Sequence, residues 1–134
     1  MADKKLIRML KKVKNWNKWR LENPDILPDL CWAKLKSSNL CEANLSKANL
    51  SRANLSRANL ICANLRQANL KETNLYKAYL FGADLKGADL SGANLKKAYL
   101  IEADLKDAVL DNTNFEGAVL KNDKINNDIK NIMI

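Results

Sequence analysis

The sequence predicts an all-β solenoid, and three observations carry that prediction. A five-residue unit recurs without insertion from Pro28 to Asn122. Aromatic residues are only 6%, so the core must be built from small and aliphatic side chains. With 4 Gly and 2 Pro, ordinary hairpin chemistry cannot turn the chain at every unit. The length of 134 residues suits one compact domain.

Leu occupies position 30 and every fifth position to 120, with Phe115 as the one replacement in 19 units. Ala stands two residues earlier in 15 of the 19, the exceptions being Pro28, Ser38, Thr73 and Thr113. The residue between is Asn or Asp in 14 of them. On a helix, five residues advance about 500°, so the leucines would spiral around every face. On a straight strand an odd period sends successive leucines to opposite faces. They share one core only if the chain turns a corner at every unit. Ala and Leu, two apart, then point inward together. A chain that turns the same way at each unit becomes a coil that stacks on itself.

The pattern closely resembles the A-[DN]-L-x-x unit of the pentapeptide repeat family, across residues 28–122. The resemblance implies a right-handed, four-sided β-helix with four units per coil. The chain would then make about five coils and stand about 23 Å tall at roughly 4.8 Å per coil. Trp16 to Leu30 also looks like the lead-in of many bacterial members, and the family is especially abundant in cyanobacteria.

The elements follow in order. Residues 1–27 form a basic capping segment, since the open end of a solenoid exposes unpaired backbone. Within it, residues 4–22 predict one amphipathic helix. Leu6, Leu10, Val13 and Trp16 share an arc that should pack against the first coil near Trp32. Pro24 should end the helix. Residues 28–122 form the solenoid. Residues 123–134 predict a short helical cap or a frayed tail, with Ile125, Ile129 and Ile132 spaced four and three apart.

Positions 20 apart should stack as columns on the outside. One face then gathers Ile61, Tyr79, Phe81, Tyr99, Ile101 and Val119. Six clustered apolar side chains approach the size at which a surface patch needs a reason. The face should bind a protein partner or a second copy of the chain, unless the N-terminal helix covers it. Two-fold homodimers are the commonest oligomer. Two basic columns also stack: Arg57, Lys77 and Lys97 on one face, then Arg66, Lys86 and Lys106 on the next. Interspersed acids, as at Asp84 and Asp104 beside the second column, favour a solvated surface over phosphate binding there.

Composition argues against chemistry. There is no His, which removes the commonest general base and metal ligand. The serines at 46, 51, 56 and 91 have no base beside them. The recurring asparagines read as amides that stabilise corners or ladders. Cys31, Cys41 and Cys62 lack metal-site spacing and read as reduced thiols of a cytoplasmic protein.

The expected function is therefore a non-enzymatic protein–protein interaction module, with no cofactor, metal or small-molecule substrate. A second reading is a basic N-terminal arm that binds nucleic acid or an anionic membrane surface. Residues 1–22 hold eight bases and two acids, which gives the arm its charge. Some family members protect DNA gyrase through acidic, DNA-like surfaces. A net charge of +8 disfavours that role here.

Overall fold

The computed structural model describes residues 1–121, and their core is a four-sided coil. Parallel bridges join residues twenty apart, beginning with Asp29–Asn49, Lys34–Asn54, Asn39–Asn59 and Asn44–Asn64, one for each side. The last joins Tyr99 to Val119. A coil is thus four units. Among the described residues each side carries a single paired residue per coil, too short to make a strand of its own. The ladder is nevertheless closed on both sides of each rung. Leu45 N–H donates to Asn64 O at 2.7 Å, and Asn64 N–H donates to Ala43 O at 3.0 Å.

The corners explain the rest of the unit. Each Leu carbonyl accepts from the amide three residues on, as Leu45 O does from Ala48 N–H at 3.2 Å. The second residue after the Leu takes a left-handed φ, 57° at Lys47. Positive φ at that position with this hydrogen bond is a type II turn. Side-chain residues occupy most of these positions, at a strain of about 1 kcal/mol each. The Asn before the Leu straps the corner: Asn44 Oδ1 accepts from Ser46 N–H at 3.2 Å, and Asn54 does the same for Ser56 at 3.1 Å. Of the two expected roles for the asparagines, the corner is the recurring one. An amide contact between coils occurs at Asn49 and Asp29, 3.3 Å apart.

Inside, Leu30 to Leu100 are fully buried at every fifth position, and the Ala column beside them is closed as well. Thr73 and Thr113 replace Ala without loss, because each hydroxyl donates to a carbonyl, Leu50 O and Leu90 O, at 2.8 Å. Phe115 is buried in the Leu column. Leu110 and Leu120, in the last described coil, are only half-buried.

The N-terminal segment differs from expectation. It is two helices, α1 (Lys4–Leu10) and α2 (Val13–Glu22), with Lys12 out of the helical region between them at φ −117° and ψ 83°. A single helix of that length would run about 28 Å. One side of the coil, five residues with two corners, spans less than about 17 Å. The break folds the segment back over the end instead of letting it overhang. Asp3 caps α1 by accepting from Lys5 N–H at 2.7 Å. α2 ends one residue before Asn23, which precedes Pro24. The expected cap or tail at residues 123–134 lies outside the described residues.

Candidate functional site

The N-terminal helices are tied to the first coil. Trp16 is buried, and its Nε1–H donates to Asn44 O at 2.8 Å. Asn17 Nδ2 donates to Glu42 O at 3.0 Å, and its Oδ1 accepts from Asn44 N–H at 2.8 Å. Arg20 donates to Ser46 O at 2.8 Å and to Ile26 O at 2.7 Å. One coil on, the counterparts of Asn44 N–H, Asn44 O and Ser46 O pair with the neighbouring rung, as Asn64 N–H, Asn64 O and Arg66 O do. Here side chains of α2 stand in for the missing rung on one side of the coil. Leu10 joins the core, and Leu6 and Val13 pack partly buried against it.

One expectation about this segment needs correction. Trp32 does not pack under the helices and is 58% exposed. It sits at a left-handed corner position, φ 62°, which turns its side chain outward beneath the Arg52 guanidinium, 5.3 Å from the ring centroid. α2 is bonded to the coil at three alternate residues of one side, Glu42, Asn44 and Ser46. Asn17 and Arg20 went unrecognised as capping residues. The signal was present: Arg20 lies four residues after Trp16, on the same stripe. Burial lowers the Arg20 guanidinium's proton affinity, and its Nε has no hydrogen-bond partner among the described residues.

The apolar face lies between two corners and stays uncovered by the helices. Tyr79, Phe81, Tyr99 and Val119 are exposed, at 46%, 46%, 40% and 38%, and Ile61 and Ile101 are half-buried. Tyr79 and Tyr99 stack, with ring centroids 5.2 Å apart and planes 5° from parallel. Their backbone is held by the bridge between the same two residues. At the foot of the face, Cys41 borders a hollow shared with Val13 and Leu21 of α2. Burial pushes the Cys41 thiol up, and the charges of Glu42 and Cys62 push it the same way.

The two basic columns differ in their surroundings. Arg66 pairs with Asp84 at 3.1 Å and Lys86 with Asp104 at 3.3 Å. Arg57 and Lys97 have no ion-pair partner among the described residues. The Lys77 ammonium lies 5.4 Å from the Tyr76 ring centroid. No helix among the described residues is long and apolar enough to cross a membrane.

Comparison with known proteins places this coil. The sequence profile of pentapeptide repeats matches eight copies between residues 29 and 122. A pentapeptide repeat protein from the Arabidopsis thaliana thylakoid lumen is 40% identical, with a TM-score of 0.58, over 60% of this chain and 55% of its own. Rfr23 from the cyanobacterium Cyanothece 51142 is 38% identical over 66% of this chain and 64% of its own, with a TM-score of 0.48. A pentapeptide repeat protein from Nostoc PCC 7120 is 34% identical over 81% of this chain and 95% of its own, with a TM-score of 0.48. The chain thus matches little more than half the length of the thylakoid-lumen protein. A comparison with curated proteins returns no match. The repeat register, the four-sided coil and the matching family profile agree that the chain belongs to the pentapeptide repeat family, whose members imply a right-handed β-helix.

Proposed function

We propose that the protein is a non-enzymatic interaction module that contacts another protein chain through its apolar face. The supporting observation is the gathering of Tyr79, Phe81, Tyr99 and Val119, all exposed, on one side of the coil. Large aromatics near the centre of a patch are the material of binding hot spots. The hydrogen-bonded coil already orders their backbone, so docking immobilises little more than side chains. We place this contact in the cytoplasm, where Cys31, Cys41 and Cys62 would stay reduced.

The test is Phe81→Glu combined with Ile101→Glu, measured by light scattering beside the parent protein. Circular dichroism controls for folding. We expect an unchanged spectrum and the loss of any self-association or co-purifying chain, because each substitution buries an unpaired charge in the contact. An unchanged set of partners would remove this face from consideration.

A further inference from the structure

Resting on that reading of the face, we propose that its partner is an amphipathic helix with an acidic flank, lying along the axis of the coil. Arg57, Lys77 and Lys97 occupy the same corner position in three successive coils, at φ of 57°, 54° and 58°. They therefore project from one edge, stacked about 4.8 Å apart. The equivalent position on the neighbouring corner holds Arg52 and Glu72, which pair at 2.8 Å. Like charges stacked across a ladder repel. This column keeps that repulsion where the neighbouring column relieves it with an acid.

The cationic column borders the apolar face. Two residues beyond Lys77 and Lys97 along each rung come Tyr79 and Tyr99, and two further come Phe81 and Ile101. The face carries three parallel strips: cationic, aromatic and apolar. An α-helix rises about 5.4 Å per turn, close to the roughly 4.8 Å per coil, so three turns stay near register with three coils. Apolar residues at helical spacing would meet the aromatic and apolar strips. Acids along one flank would meet the three bases.

A second copy fits this pattern less well. Turned about an axis parallel to the coil, it sets Arg57 beside Cys62 and Lys77 beside Gly82, and brings an acid, Glu102, only to Lys97. Turned about the perpendicular axis, it sets bases against bases.

The experiment measures binding to the full chain by fluorescence anisotropy. The probe is a synthetic amphipathic helix of about four turns with a Glu flank, and its twin carries Gln in place of each Glu. We expect the acidic peptide to bind roughly tenfold tighter than its twin, with the margin shrinking as salt rises. Lys77→Gln with Lys97→Gln should remove that margin. Arg66→Gln with Lys86→Gln changes the net charge equally but should preserve it, since those bases already have carboxylate partners. Equal binding of the two peptides, absence of binding, or tighter binding to phosphatidylserine vesicles or to an oligothymidylate would overturn the proposal. If both peptides bind equally and Phe81→Glu with Ile101→Glu abolishes both, the acidic flank fails and the apolar contact stands. If the acidic peptide binds that double variant as tightly as the parent, the face itself is wrong.

Discussion

The inside of the coil repeats, while its outside differs at every corner. Leu75 and Phe81 lie six residues apart, yet one is fully buried in a column of leucines and the other is 46% exposed. The interior has one demand on every side, a Leu beside a small residue. The four outer edges have none in common. One carries Arg52 and Glu72 as an ion pair, and another stacks Arg57, Lys77 and Lys97. A third presents Phe81 and Ile101, and on the fourth Arg66 and Lys86 pair with Asp84 and Asp104. The repeat thus accounts for the fold, and departures from it account for what the surface can recognise.

The sharpest way to break this contrast is to place the same kind of charge inside and outside. Leu75→Lys puts an unpaired ammonium in the core and should cost more than about 5 kcal/mol, which is enough to unfold a marginally stable domain. A soluble Leu75→Lys protein with native circular dichroism would refute the inward ladder. Phe81→Glu with Ile101→Glu, on the outer face, should leave the spectrum unchanged.

The cap comes next in size. Trp16→Ala empties a buried site and removes the donor to Asn44 O, so it should cost about 3 kcal/mol. Denaturant midpoints of the two proteins would measure this. An unchanged midpoint would mean that the helices contribute nothing to holding the first coil.

Within the interior, Thr73→Ala restores the common residue of the repeat. It loses a 2.8 Å hydrogen bond to Leu50 O, but that carbonyl still accepts from Ala53 N–H at 3.0 Å. The expected loss is within about 1 kcal/mol by thermal melting. A larger loss would mean that the interior is less uniform than its ladder suggests.

The smallest effect belongs to the corner carboxylates. The backbone amide of Cys31 donates to Asp29 and holds its carboxyl below the usual range. Its folded value is depressed, so its stabilisation is present above the unfolded carboxyl's range and is lost as pH falls through the folded value. Asp29→Asn keeps the acceptor without the titration. Parent and variant should melt alike in their response to pH near neutrality, and the parent alone should lose this contribution in acid. Parallel acid curves would show that the strap carries no charge dependence.

Much of this was legible because the signal is redundant. A single leucine every five residues says little, but many in register exclude helix and straight strand together. The apolar columns were legible as well, since a strict twenty-residue coil converts spacing into adjacency. Other features were not. No Gly or Pro marks the break at Lys11 and Lys12. It answers to the width of the coil end, which no local residue encodes. Trp32 looked like a packing residue by type, but its corner position turned it outward. The sequence set Asp84 and Asp104 beside the second basic column, but which base each acid pairs with depends on geometry one coil away. Arg66, Lys71 and Lys86 each reach an Asp 18 residues on, two short of the stacked position. Arg57 and Lys97 have no such neighbour among the described residues.

By itself, the sequence determined the period, and the period determined the coil, because only a corner at every unit lets all the leucines reach one core. Tertiary structure alone decided which bases are neutralised, how the N-terminal segment bends and which apolar side chains remain open. Those outcomes depend on contacts between residues about twenty apart and on where α2 docks. Such contacts form only once the coils have stacked, and no local pattern of residues sets them.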